Sequence, residues 1–321
     1  MDMQLKTITA LTLLISTGYV MADENTAEIN QTGENNLAFI EQVSFAHTAA
    51  ITQTGNGNEA LIEQVAEEAN IAAIVQTGNY NYAEAIGGDV SYYIDITQYG
   101  VGNEATALGG AYTSSVYILQ GDPSTDSPSD YNFAYIDQFG CGDCSSRIVQ
   151  LGMGGNAAFI SAGGEDSYAH IMQDGADNYA SILQSFFTGA TVIQNGLENY
   201  ANIEQSGYSS ASIEQTGELH QADIQQGIGQ INIAEIITQG GSNNRVDIVQ
   251  DGDGHLADVR QYDVLDSQVF IEQFSEQQIA WVEQGDGIGN HATVSQGFNG
   301  SIANTATVVQ YGSYNTATIV Q

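Results

Sequence analysis

Apolar and polar side chains alternate along most of this chain. The string Asn-x-Ala-x-Ile/Val-x-Gln occurs in full ten times, with a spacing of two between its named residues. Because successive side chains on a β-strand point to opposite faces, these four residues share one face of a strand. The pattern therefore predicts short, recurring β-strands and almost no helix. The ten copies end at Gln31, Gln42, Gln64, Gln76, Gln138, Gln184, Gln205, Gln296, Gln310 and Gln321.

The strand units follow one another at a nearly constant period. Most neighbouring units lie 10 to 12 residues apart, and many of their Gln residues are followed by x-Gly, which suits a tight turn. Near the N-terminus, turns with this Gly alternate with turns that lack it, so the full repeat is about 22 residues long. We predict an all-β fold: a cross-β-like β-solenoid of about 13 stacked strand-turn-strand coils.

Each predicted strand carries two polar residues around two apolar ones on the same face. If identical units stack, Asn and Gln amides can bond to their counterparts one layer above and below, while Ala and Ile/Val form a dry centre. We therefore expect ladders of inward Asn and Gln side chains. The residues expected to form them are Asn36, Gln42, Gln53, Asn58, Gln64, Asn178, Gln184, Asn199, Gln205, Asn315 and Gln321.

The regularity weakens between Gly87 and Ser167, where extra residues replace units or lengthen turns. Pro123 and Pro128 fall in this stretch, and proline cannot donate to a strand ladder. We interpret the stretch as an excursion from one solenoid that spans residues 23–321; a domain boundary is the alternative. The inserts are expected around residues 87–91, 108–115, 121–131 and 161–167.

Residues 1–22 have the features of a secretory signal peptide. Lys6 precedes an apolar stretch from Ile8 to Ile15, and small residues ending at Ala22 resemble a cleavage site. A membrane anchor is the alternative, but spanning a bilayer takes about 20 apolar residues and this run is shorter. No later segment is apolar enough to span. We expect an exported mature chain without a transmembrane segment.

Charge narrows the classes of partner. The chain has 39 Asp and Glu against 4 Lys and Arg, a formal net charge of −35. Nucleic acid is not expected as a partner, because neutralising phosphates requires clustered Lys and Arg. Acids such as Glu41 and Glu63, 22 residues apart, would stack one layer apart on the outer face and repel each other. We expect divalent cations to bind this acidic face, and acidification or such cations to accelerate assembly.

The chain contains no recognisable catalytic motif. It has no G-x-S-x-G, no H-E-x-x-H and no phosphate-binding loop, so we expect neither enzymatic activity nor a cofactor. His47, His220 and His255 occupy the Asn position of the repeat, where we expect inward, hydrogen-bonding side chains whose surroundings loosen in acid. Residues 251–254, Asp-Gly-Asp-Gly, fit either a turn or a weak calcium loop.

Cys141 and Cys144 form the sequence Cys-Gly-Asp-Cys shortly after Gln138. In an oxidising compartment, such a pair favours a small disulfide staple on a loop. Free thiols and a metal or redox site are the alternatives, although neither a βαβ pattern nor a second cysteine pair accompanies the motif.

The pattern Q-x-G-x-x-N-x-A-x-x-x-Q resembles the repeat of curlins, the subunits of bacterial curli fibres. It is complete at residues 31–42, 53–64, 173–184, 194–205 and 310–321, and the resemblance covers nearly the whole mature chain. The resemblance implies a secreted, extracellular amyloid subunit on the surface of a bacterium with an outer membrane, serving adhesion and biofilm. It also implies self-assembly, contacts with other curlin-type subunits, and a curli-type secretion pore with chaperones.

The chain departs from typical curlins in its greater length and in lacking a distinct secretion-targeting segment before Asn25. Three roles for the chain therefore stay open: a main fibre subunit, a minor nucleating subunit and a related matrix component. Because the first and last units, at Asn25 and Gln321, look uncapped, we expect polymerisation by edge templating. Two other classes are a monomeric solenoid that binds polysaccharide or ice and an enzyme on a β-helix. Thr-x-Thr rows occur in only two units, which argues against the binding solenoid. The missing catalytic cluster argues against the enzyme.

Overall fold

The computed structural model describes residues 24–65, 68–88, 91–110, 113–121, 130–138, 140–297, 300 and 303–321. Within these residues the protein is all-β, with 77% strand and no helix, wound into a parallel β-solenoid. The predicted fold class is confirmed. The expected signal peptide, residues 1–22, lies outside the described residues, as do Pro123 and Pro128.

Each layer of the solenoid contains two strands, the first arm and the second arm, which face each other across the core. The first arms are β1 (Thr26–Thr32), β3 (Thr48–Asn56), β5 (Ile71–Asn79), β7 (Tyr92–Val101), β9 (Ser114–Gln120), β11 (Ser145–Gly154), β13 (Tyr168–Ala176), β15 (Gly189–Leu197), β19 (Leu256–Leu265), β21 (Ile279–Ile288) and β23 (Thr305–Tyr311). The second arms are β2 (Leu37–Val43), β4 (Glu59–Val65), β6 (Tyr82–Gly87), β8 (Glu104–Gly109), β10 (Phe133–Asp137), β12 (Ala157–Gly163), β14 (Tyr179–Ser185), β18 (Arg245–Asp253), β20 (Gln268–Glu276), β22 (His291–Gln296) and β24 (Thr316–Val320). Two long strands, β16 (Tyr200–Glu218) and β17 (Gln221–Ser242), each run through a turn and supply the second arm of one layer and the first arm of the next.

Equivalent arms stack in parallel and in register. Ile29 of β1 lies opposite Ile51 of β3, and Ile40 of β2 lies opposite Ile62 of β4. The described strands form 13 layers joined by about 12 full turns of the chain, with a repeat spacing of about 23 residues. This agrees closely with the predicted repeat of about 22 residues and 13 coils.

The core is a column of small and branched apolar residues between the two stacks. Ile51, Ile62 and Ile74 are 0% exposed, and the Ala residues two positions before them are buried as well. Burying one such Ile side chain stabilises the fold by roughly 1.5–3 kcal/mol. The same pair recurs in nearly every layer, so the apolar cluster is continuous along the stack.

Both stacks pass through the irregular region without a break. Gln120 and Gln150 are 30 residues apart, yet Gln120 Nε2 donates to Gln150 Oε1 at 2.9 Å across a single layer. On either side of the long connection between β9 and β10, β10 pairs in register with β8 and β11 pairs in register with β9. The other connections in this region are short, because β8 continues to Gly109 and β12 to Gly163.

Glycine is required where turns of neighbouring layers touch. Gly196 has φ +132°, and a Cβ on it would overlap the carbonyl oxygen of Gly217 in the next layer. We expect Gly196→Ala to lower the free energy of unfolding by about 1 kcal/mol or more, since both the backbone conformation and the contact oppose a side chain. The midpoint of urea unfolding measures this.

The matched control is Gly189→Ala, where a Cβ meets nothing within 4 Å. Its unfolding midpoint should stay within error of the parent or rise slightly. Equal losses in the two variants would show that the close approach of the turns is not what requires glycine.

Candidate functional site

A column of Gln side chains runs along the corner where each first arm turns into the second arm of its layer, called here the first corner. Gln53 Nε2 donates to Gln76 Oε1 at 2.8 Å, and Gln76 Nε2 donates to Gln98 Oε1 at 2.9 Å. The same amide group of Gln53 also donates to the carbonyl of Leu37, at 2.9 Å, on the second arm. Gln53 therefore ties its layer to the next layer and the first arm to the second. The column contains Gln31, Gln53, Gln76, Gln98, Gln120, Gln150, Gln173, Gln194, Gln215, Thr238, Gln261, Gln284 and Gln310.

A second column, of Asn side chains, lines the same corner from the second arms. The backbone N–H of Asn58 donates to Asn36 Oδ1 at 3.0 Å, and Asn58 Nδ2 donates to the carbonyl of Gly78 at 2.9 Å. The side chain thus replaces a strand hydrogen bond at the point where the arm begins. This column is continuous through all 13 layers: Asn36, Asn58, Asn81, Asn103, Asn132, Asn156, Asn178, Asn199, His220, Asn244, Ser267, Asn290 and Asn315.

The opposite corner, where a second arm leads to the next layer, is called the second corner, and its ladders are interrupted. Gln42 Nε2 donates to Gln64 Oε1 at 2.9 Å, but Gly87 follows Gln64 in the stack. The Gln column resumes at Gln184 and continues to Gln321. The structure therefore does not bring Gln64 and Gln184 together. The intervening positions are Gly87, Gly109, Gln138 and Ala162.

An inward tyrosine fills part of this interruption. Tyr92 occupies an Asn position of the repeat and is 4% exposed. A Cβ on Gly87 would overlap the Tyr92 ring, and Gly109 also packs against that ring. Burial raises the pKa of the Tyr92 hydroxyl above its ordinary range. The sequence shows a Tyr at an Asn position and a Gly at a Gln position, and these two departures from the repeat compensate each other only in space.

Cys141 and Cys144 are joined by a disulfide in the connection between β10 and β11. Their side chains are 0% and 1% exposed and belong to the apolar core, so the bond faces inward at the second corner. The sequence predicts a disulfide staple on a loop. It does not predict that the bond is buried and faces the core. The disulfide is apolar and needs no hydrogen-bond partners, whereas an amide side chain buried at the same place would need them.

Three histidines lie inside the stack. His47, His220 and His255 are at most 1% exposed, and the backbone N–H groups of His220 and His255 donate to Asn199 Oδ1 and Asn232 Oδ1, both at 3.0 Å. Burial lowers the pKa of His220 and of His255, because the charged imidazolium is poorly solvated there.

The acidic residues face outward. Glu41 of β2 lies directly opposite Glu63 of β4, as the spacing predicted. Farther along, Arg260 contacts Asp258 at 3.1 Å and Glu235 at 4.0 Å. An arginine thus stands beside two acids that stack in neighbouring layers. No group of three or more metal-ligating side chains occurs among the residues that the structure describes.

Comparison with known protein families adds one finding. The model of the curlin associated repeat matches residues 22–47, 164–207 and 236–262. These three regions of the chain therefore match the curlin associated repeat. Proteins of this repeat family are structural and non-enzymatic. The interrupted second corner, from Gly87 to Ala162, lies between the first two matched regions.

A search of curated proteins found no significant match. Within the described part of the chain, no helix has the length and apolar character needed to cross a membrane.

The Gln column predicts a large cost for removing one amide. In Gln98→Leu, the groups on Gln76 and Gln120 that bond to Gln98 would lose their partner. Since a buried unsatisfied group costs about 1–3 kcal/mol, we expect unfolding free energy to fall by about 2 kcal/mol or more. Gln225→Leu is the control, because that Gln faces outward and is exposed. Comparable urea midpoints for the two variants would contradict the assigned role.

The buried histidines predict a loss of stability in acid. The unfolded chain takes up a proton near pH 6.5, whereas the lowered pKa of folded His220 delays uptake to lower pH. Unfolding free energy should therefore fall as pH drops below about 6.5. We expect His220→Asn, which keeps an amide in the column, to lose less stability than the parent between pH 7.5 and 5. Identical urea midpoints for parent and variant at both pH values would exclude this role.

Proposed function

We propose that this chain is the structural subunit of a secreted, curli-like amyloid fibre that serves cell adhesion and the biofilm matrix. The curlin repeats and the β-solenoid fold support a structural subunit. Within the described residues, the strands of the first and last layers pair along one edge only. Unpaired strand edges recruit further strands, so a second copy is the natural partner.

The ends of the stack carry the same inward pattern as its interior. Gln321 accepts a bond from Gln296 at 3.0 Å, and Gln31 donates to Gln53 at 2.7 Å. Placing β1 and β2 of one copy on β23 and β24 of another would extend the amide columns in register. The joint would repeat the contacts of any internal layer.

Charge favours this head-to-tail joint. From Gly287 to Gln321 the chain has no Asp, Glu, Lys or Arg, whereas the first layer carries Glu28 and Glu41. In the internal register, Val320 would lie opposite Glu41 of the next copy. The acid-free end therefore avoids stacking like charges in a chain whose net charge is −35.

The chain from residue 23 to 321 should form Congo-red-binding fibres with cross-β reflections near 4.8 and 10 Å. Val320→Glu should slow seeded elongation by about fourfold or more, because two like charges about 5 Å apart repel by nearly 1 kcal/mol even in water. Val320→Lys is the matched control and should elongate at least as fast as the parent. Thioflavin-T fluorescence with preformed seeds measures the rates.

Adding Glu41→Gln to Val320→Glu should restore elongation, since the repelling partner is gone. Equal rates for the Glu and Lys variants would contradict the joint but not the fibre. A product that stays monomeric and β-rich would contradict the fibre itself and favour a monomeric binding solenoid.

A further inference from the structure

The outward side of the first arms, called here the first-arm face, is poor in acids from β3 to β15. Over these layers the three outward positions before each first-arm Gln hold a single acid, Asp95, and a single arginine, Arg147. The equivalent positions of the second arms in the same layers carry Glu59, Glu63, Glu84, Glu104, Asp137 and Glu204. In a chain with a net charge of −35, a second anionic chain can approach the first-arm face most easily.

This face also exposes large apolar side chains. Ile71, Tyr93 and Tyr168 are 47%, 44% and 48% exposed, and all three lie at the first outward position of their strands. Contiguous apolar surface of this kind on a soluble protein marks an interaction site.

The two charges of the face lie symmetrically about one tyrosine. Tyr117 of β9 is paired with Asp95 of β7 on one side and with Arg147 of β11 on the other. The Arg147 guanidinium lies 5.1 Å from the centroid of the Tyr117 ring. Unlike Arg245 and Arg260, Arg147 makes no ion pair with an acid of its own chain among the described residues. A reversed copy of the same three residues would supply that acid.

We propose that the first-arm faces of two copies pack against each other about a two-fold axis that runs along β9 at Tyr117. This axis reverses the order of the layers and keeps each outward position opposite its own column. Asp95 of each copy then faces Arg147 of the other, and the two Tyr117 rings meet at the axis. At the first outward position, Ile71 of one copy faces Tyr168 of the other.

Charge selects this antiparallel arrangement over a parallel one. A two-fold axis along the stack would place each middle outward residue opposite itself, so that Asp95 would face Asp95 and Arg147 would face Arg147. The seven layers of the face measure about 30 Å by 20 Å, so the pair buries roughly 1,200 Å² in total. This area is at the lower end of specific interfaces, so we expect a weak pair in solution.

Within a fibre the same contact repeats; this step rests on the head-to-tail joint proposed above. Because each copy adds 13 layers, an axis at the fifth layer generates a second axis between the layers of β19 and β21. There Arg260 of one stack faces Glu283 of the other, and Leu256 faces Ile279. At the three outward positions, no acid of one stack then faces an acid of the other. Repetition along two stacks makes the weak contact firm.

The first test measures pairing apart from fibre growth. In the mature chain carrying Val320→Glu, which slows the head-to-tail joint, sedimentation equilibrium at physiological ionic strength should show a monomer–dimer equilibrium. Adding Arg147→Glu should weaken dimerisation about tenfold or more, because the axis sets like charges against each other twice. The exchange Asp95→Arg/Arg147→Glu should restore it. Arg245→Glu is the matched control, since it makes the same charge change on the second-arm side, and it should dimerise like the parent.

The second test reports the direction of packing. Ile71 and Tyr168 lie four layers, or about 19 Å, apart in one chain, which is too far for an internal disulfide. Ile71→Cys/Tyr168→Cys should therefore give disulfide-linked dimers on oxidation, whereas Tyr168→Cys alone should stay unlinked. Stronger linkage of the single variant would indicate parallel faces and overturn the proposal.

Fibres separate this proposal from the proposed function. Parent fibres should have twice the mass per length of a single stack, and Arg147→Glu should halve that value while leaving seeded elongation unchanged. A chain that stays monomeric at all concentrations, equal dimerisation of Arg147→Glu and Arg245→Glu, or no recovery in the charge exchange would each overturn the paired faces. Normal elongation in those cases would leave the fibre itself standing.

Discussion

Hydrogen bonds between buried amides of successive layers are the constraint on which this structure depends. A Gln such as Gln76 is 0% exposed, and its partners are Gln53 and Gln98 in the neighbouring layers and a backbone carbonyl on the other arm. An isolated layer would lack these hydrogen bonds between layers and would leave its Ala and Ile side chains exposed to water. Layers are therefore stable only together. A register shift by one residue would also expose the Ile column and bury outward acids, so the same bonds hold the register.

The second corner shows how this constraint can be relaxed. Where the Gln column stops at Gly87, the facing column also changes, from Asn70 to the ring of Tyr92. Farther on, the buried Cys141–Cys144 disulfide again replaces amides with apolar groups. An amide can be removed from such a stack only if its neighbours change with it. At the first corner, amides are replaced only by other hydrogen-bonding side chains, Thr238, His220 and Ser267, and the Asn column continues across the long connection between β9 and β10.

The sequence predicts the stack well because its signals are local and repeated. Spacing by two assigns Ile51 and Gln53 to the inner face, and the period of about 22 residues places Glu41 opposite Glu63. The second corner was harder to predict, because Gly87 and Tyr92 compensate each other across a turn and neither matches the repeat.

A net charge of −35 is compatible with this stack because the acids seldom stack on one another. In the outward column that precedes the second-arm Gln, Glu41 and Glu63 are neighbours, but the remaining acids are separated by uncharged residues. That column is Glu41, Glu63, Ile86, Leu108, Asp137, Ser161, Leu183, Glu204, Gln225, Val249, Glu272, Ser295 and Val320. Acids also stack elsewhere: Arg260 forms ion pairs with both Glu235 and Asp258, whereas Asp253 lies opposite Glu276. Repulsion is thus dispersed within each chain and acts mainly between chains. The last layer carries no acidic side chain, so a second copy can approach that side at the lowest electrostatic cost.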